Sequence, residues 1–190
     1  MKPLLNGKIY NYQVDEWKIY WESDREYRHW CIQKRNGIGD YILVVMFNPG
    51  SLNGDGKNLK RDTTLRILRG VFRDTKYNPW IINLFDYPTT RPLELFNKWE
   101  RKDNTGLVYD SLDEYTFRAV LYCYGDYENT GEYKEDIKKR ITLVRSYFSN
   151  VPEITNLRNK SRTPKHPMTW QRQKLMLKVT ELVNECYDYH

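Results

Sequence analysis

Tyr41-Ile42-Leu43-Val44-Val45-Met46-Phe47, followed at once by Asn48-Pro49-Gly50-Ser51, decides how this chain is read. The run has the length of a strand, contains two adjacent valines and an isoleucine, and shows no polar alternation. An uninterrupted apolar strand is buried on both faces, which is the situation inside a parallel sheet covered by helices. Pro49 and Gly50 then stop the ladder, because proline has no N–H to give and glycine releases the chain into a turn.

The segments on either side repeat the pattern. Before it, residues 27–34 (YRHWCIQK) mix aromatic and polar side chains in the manner of a strand and lead into the Asn36-Gly37-Ile38-Gly39 turn. After it, Asp62 stands where a helix N-cap belongs, with Leu65, Leu68 and Phe72 on one face of the helix that follows. Residues 80–85 (WIINLF) and 119–124 (AVLYCY) are two further buried-type strands, ending at Pro88 and Gly125. Ile137, Ile141, Val144 and Phe148 make an amphipathic helix, and Leu175, Val179, Leu182, Val183 and Cys186 make the stripe of a last one. Residues 154–157 are predicted to add a short fourth strand. Alternating strands and helices of this kind imply an α/β sandwich around a mostly parallel sheet, in one domain over residues 1–190.

Composition narrows the function classes. With 39% hydrophobic and 15% aromatic residues, the chain has enough apolar surface for a core, which argues against disorder. No apolar run reaches the roughly 18 residues a membrane span requires. The opening MKPLLNGKIYNY lacks the apolar stretch of a signal peptide, so a cytoplasmic protein without a membrane partner is expected. Cys31, Cys123 and Cys186 are too widely spaced for a zinc ribbon or an iron–sulfur cluster, and no metal or cofactor is predicted. No glycine-rich phosphate loop, dinucleotide fingerprint or serine-hydrolase elbow is present.

Charge is unevenly spread. The net charge is +6, and residues 158–178 carry seven Lys or Arg with no acid between Glu153 and Glu181. Residues 103–136 hold nine acids against Arg118 and Lys134. One basic face and one acidic face follow, the basic one suited either to an anionic partner or simply to water.

In a doubly wound sheet, ligands bind beyond the carboxyl ends of the strands, so the polar residues there are the candidates for chemistry. Asn48, Pro49, Gly50 and Ser51 follow the first buried strand and read as a substrate loop or an ordinary turn. Asn83, inside IINLF, is an amide that must find partners when buried, either in neighbouring loops or on a nucleobase edge. Phe85 follows it at the same strand end. His166, locked between Pro164 and Pro167 and beside the basic run, is the best placed of three histidines for catalysis. Arg66, one turn into the first helix, can reach a phosphate or pair with Asp62.

Taken in order, NPGS (48–51), DTTLR (62–66), NLFDYPTTRPLEL (83–95), YCYG (122–125) and TPKHPMTW (163–170) resemble the phage and bacterial domain-of-unknown-function family DUF sixteen-forty-three. The same order is similar, more distantly, to the uracil-DNA glycosylase superfamily, in which a water-positioning NPG, an Asn-ending strand and a His-Pro loop recur. Here the last loop reads HPMT rather than HPSP, and no aspartate stands in the first motif.

That resemblance implies a three-layer glycosylase-like sandwich with an added pair of aromatic-rich N-terminal strands. It also implies hydrolysis of the N-glycosidic bond of a flipped, possibly modified, pyrimidine. Asn48 and His166 would be catalytic, with Pro49, Gly50, Ser51, Asn83 and Phe85 against the substrate. Arg66, Arg158, Lys160, Arg162, Lys165, Thr169 and Arg172 would follow DNA phosphates. The alternatives are a non-catalytic phage accessory protein that binds nucleic acid or a nucleotide in the same pocket, and a protein-interaction module built on the chain's 16 tyrosines and 6 tryptophans.

Overall fold

A computed structural model describes residues 8–12, 17–22, 27–35, 37–50, 62–89, 95–98, 112, 115–129, 131, 133–155 and 157–186. Ser51 lies outside the described residues. The elements are β1 (Lys8–Tyr12), β2 (Trp17–Glu22), β3 (Tyr27–Gln33), β4 (Tyr41–Met46), α1 (Thr63–Phe72), β5 (Asn78–Asn83), α2 (Leu95–Lys98), β6 (Phe117–Tyr122), α3 (Lys134–Tyr147), α4 (Pro167–Arg172) and α5 (Met176–Glu185).

Among the described residues the strands form one six-stranded sheet in the order β1-β2-β3-β5-β4-β6. Only β5, β4 and β6 are parallel. Strands β1, β2 and β3 form an antiparallel meander that joins β5 antiparallel, Cys31 facing Ile81. The sheet is therefore mixed rather than mostly parallel, and the N-terminal strands extend it instead of standing apart as a pair. The physical reason is visible in β2, where Trp17 and Ile19 are buried and Lys18 is exposed, the alternation of a strand with one wet face. Central β4 differs: Ile42, Leu43, Val44 and Val45 are all 0% exposed, each burial worth about 1.5–3 kcal/mol.

Alternate residues of each strand feed two cores. Leu43, Val45, Trp80, Ile82, Val120 and Tyr122 meet Leu95 and Phe96 of α2 and Ile137, Ile141 and Val144 of α3. Ile42, Val44, Ile81, Ala119 and Leu121 meet α1, Trp170 of α4, and Val179 and Val183 of α5. Helices thus cover both faces. The fourth strand predicted at 154–157 reduces to one parallel bridge, Val120 to Glu153. Val120 N–H donates to the Pro152 carbonyl and Ile154 N–H to the Val120 carbonyl, both at 2.8 Å, and Pro152, lacking an N–H, ends the ladder on its N-terminal side.

The connections place the site. Strand β4 passes the chain to α1 on one face, whereas its neighbour β6 passes it to α3 on the other. Where adjacent parallel strands send their chains to opposite faces, a crevice opens between their carboxyl ends.

Candidate functional site

That crevice is a cleft of about 720 Å³, within the range of small-molecule sites. The loops after β4 and β6, the start of α1, and the segment around α4 all contribute to its walls.

The β4 exit supplies Asn48 and Gly50. Asn48 Nδ2 donates to the Pro49 carbonyl at 2.9 Å and to the Thr89 carbonyl at 3.0 Å, while Thr89 N–H donates back to the Pro49 carbonyl at 3.0 Å. These bonds clamp the β4 exit to the β5 exit and use both hydrogens of the amide. Among the described residues, a Cβ at Gly50 would meet only Asp62 Oδ2, at an ordinary 3.8 Å.

Asp62 caps α1 as its sequence position implies, Oδ1 accepting from Leu65 N–H at 3.0 Å. Thr63 and Thr64 then line the cleft. Arg66 is exposed and does not line it.

The β6 exit supplies Gly125, Asp126 and Tyr127. Gly125 has φ +82, and a Cβ there would stand 3.3 Å from Tyr127 and 3.5 Å from His166 Cβ, so the position requires glycine twice over. The Tyr127 ring stacks on buried Phe47, with centroids 4.4 Å apart. Asp126 Oδ1 accepts from Ser161 Oγ at 2.7 Å and from Thr163 Oγ1 at 3.1 Å.

His166 is the N-cap of α4, with Pro167 in the first turn. Its Nδ1 accepts the Met168 N–H at 3.2 Å. Burial, reinforced by the neighbouring Arg172 guanidinium, lowers its pKa from 6.5 to about 4. The ring is therefore neutral at pH 7, and with Nδ1 accepting, its proton sits on Nε2. Thr169 and Arg172 complete this wall, and among the described residues no carboxylate pairs with Arg172.

Two residues expected at the substrate lie below the rim. Asn83 is 2% exposed and pairs in register with Met46, two residues short of Asn48. Strand β5 keeps pairing beyond it, through Leu84 N–H to Met46 and Phe85 N–H to Phe47, which leaves Asn83 in the sheet rather than on the cleft wall. Phe85 is a core residue, edge-on to Phe47 and Phe96 at 5.4 Å each.

The basic run also divides. Arg158 reaches Glu153 at 3.4 Å, a carboxylate that also binds Arg145 at 2.7 Å. Lys160 and Arg162 are exposed, Lys165 is half-buried, and only Arg172 of the run's cations lines the cleft. The lining residues not expected from the sequence as site residues are Thr63, Thr64, Thr89, Gly125, Asp126, Tyr127, Asn159 and Met168. The strand end at Gly125 was the available signal for Asp126 and Tyr127.

Among the described residues, no three His, Cys, Asp or Glu side chains converge as metal ligands, and no helix is long and apolar enough to cross a membrane. No curated protein and no solved structure gives a significant match to the chain. A family model does match, over residues 27–168, which takes in β3, the parallel strands and the His166 loop. The chain belongs to the family described as "Protein of unknown function (DUF1643)".

Proposed function

We propose that the cleft recognises a nucleobase and hydrolyses its N-glycosidic bond, in DNA or in a nucleotide. The observation that carries this reading is His166: a neutral imidazole, locked by its cap, whose Nε2 keeps its proton. Breaking the bond between the sugar C1′ and the base nitrogen sends the electron pair onto the base, and negative charge grows on the base oxygens. A fixed N–H donor stabilises that charge without having to give up its proton, and the Arg172 guanidinium beside it adds a favourable field. Helices on both faces of a sheet whose parallel strands end at the site agree with the three-layer glycosylase-like arrangement. Phosphates would be met by Arg172, Lys160 and Arg162, with Arg158 diverted to Glu153.

The second reading, a binder without chemistry, is favoured by one observation. Asn48 spends both amide hydrogens, and the Pro49 carbonyl accepts two bonds, inside the protein. Incubation with oligonucleotides containing uracil, hydroxymethyluracil or mismatched thymine, followed by alkali, separates the two. The same bases are also offered as free nucleotides, with released base measured by chromatography. Cleavage that His166→Asn abolishes supports hydrolysis. Salt-sensitive retention without base release refutes it in favour of the binder.

A further inference from the structure

Hydrolysis needs a group that orients water and takes its proton, and the first-motif residues are engaged elsewhere. Pro49's carbonyl already accepts two N–H donors, and the Asn48 amide, its hydrogens spent, is too weak a base to accept a proton. Among the described residues that line the cleft there is one carboxylate, Asp126. We infer that Asp126 holds and deprotonates the attacking water, an assignment that rests on the hydrolytic reading above.

The carboxylate is built into place. It follows Gly125, whose left-handed backbone turns the chain beside His166. Oδ1 accepts from both Ser161 and Thr163, whose hydroxyls are also 3.0 Å from each other. Thr163 is 1% exposed and is held in turn by Asn159 Nδ2 at 3.0 Å. The loop that carries them closes through Asn159 N–H to the Thr163 carbonyl, at 2.9 Å, with Arg162 at φ 66. The two hydroxyls occupy Oδ1 and fix the carboxylate plane, while Oδ2 accepts nothing among the described residues.

In the step itself, the water oxygen forms a bond to C1′ as the C1′–N bond breaks. The electron pair leaves with the base, whose oxygen is met by His166 Nε2–H. The water proton passes to Asp126 Oδ2 and from there to the departed base, which restores the carboxylate. Nothing is oxidised or reduced. A positioned general base contributes roughly 10²–10⁴ in rate.

The test compares wild type, Asp126→Asn and Ser161→Ala on the base the wild type releases. Turnover is measured alongside affinity for the free base, read as thermal protection. The expected result is a loss of at least about 100-fold for Asp126→Asn, and of about tenfold for Ser161→Ala, at unchanged base affinity. If Asp126→Asn does not fold, the Ser161→Ala rate decides, and an unchanged rate overturns the assignment. A wild-type-like Asp126→Asn also overturns it and leaves the hydrolytic reading standing, as does loss of base affinity in parallel with turnover, which makes Asp126 a binding residue. A wild type that releases no base from any substrate overturns both.

Discussion

Replacing His166 with asparagine should remove a pH-dependent instability without removing a cap. In the folded protein the imidazole titrates at about 4 rather than 6.5, because burial and Arg172 both oppose its charge. The unfolded chain therefore binds the proton first as pH falls. This histidine costs the fold nothing above pH 7, where it is neutral in both states. Below 6.5 the unfolded form gains a proton the folded form refuses, and stability declines until pH 4, where the loss levels off. The full displacement corresponds to roughly 3 kcal/mol, of which about 2 kcal/mol has been lost by pH 5. Asparagine retains an acceptor for the Met168 N–H, so the variant should match wild type to within about 0.5 kcal/mol at pH 8. Urea unfolding of both proteins at pH 8 and pH 5 is the assay. His29 and His190 are present in both and cancel in the difference. Wild type should lose about 2 kcal/mol more than the variant between the two pH values, or about 4–8 °C in Tm for a chain of this size. Arg172→Ala should shrink that difference without abolishing it, since burial is the larger cause. Parallel pH profiles for wild type and His166→Asn would refute the reasoning, and with it the neutral donor on which the proposed chemistry depends.

Two further substitutions test the frame of the cleft. Gly125→Ala must place a side chain at φ +82 and 3.3 Å from Tyr127, so a loss of about 1–3 kcal/mol is expected by thermal unfolding. Gly37→Ala, at φ +77 with nothing within 4 Å among the described residues, should incur only the backbone part; equal losses would show that crowding at Gly125 costs nothing. Asn48→Asp, which would put an aspartate into the first motif, should lower stability rather than raise activity. It points an anionic oxygen at two carbonyls 2.9 and 3.0 Å away and forfeits two hydrogen bonds, a destabilisation of about 2 kcal/mol or more. A stable and more active Asn48→Asp would mean that the clamp between Pro49 and Thr89 is dispensable.

What could be read from the sequence was what leaves a local trace. Residues 41–47 are apolar without alternation because β4 has no wet face, and the Asp62 cap shows because its bond closes within three residues. The antiparallel half of the sheet left no comparable mark. Whether β3 pairs beside β5, and in which direction, depends on contacts about 50 residues apart that change no local spacing. The same distance effect hides the setting of Asn83. Its strand continues for two residues because Leu84 and Phe85 find carbonyls on β4, and that extension puts the amide below the rim. For Asn48 the sequence leaves a substrate loop and an ordinary turn both open, because its partner lies 41 residues on, at Thr89. Asp126 went unnoticed because the hydroxyls that orient it are 35 and 37 residues away.

The His166 loop is the instructive exception. Between Pro164 and Pro167, the sequence marks His166 as a candidate for catalysis and gives no sign that it caps a helix. The structure makes it the N-cap of α4, and the proposed donor depends on that cap. Capping α4 engages Nδ1 as an acceptor, and an accepting Nδ1 keeps the proton on Nε2. Packing of Trp170, 0% exposed, anchors the helix that the cap begins, and burial of the loop then holds the ring neutral. A residue that ends a loop, starts a helix and fixes its own tautomer does so through one hydrogen bond. Breaking that bond with His166→Ala would therefore change stability and chemistry together, whereas His166→Asn separates them.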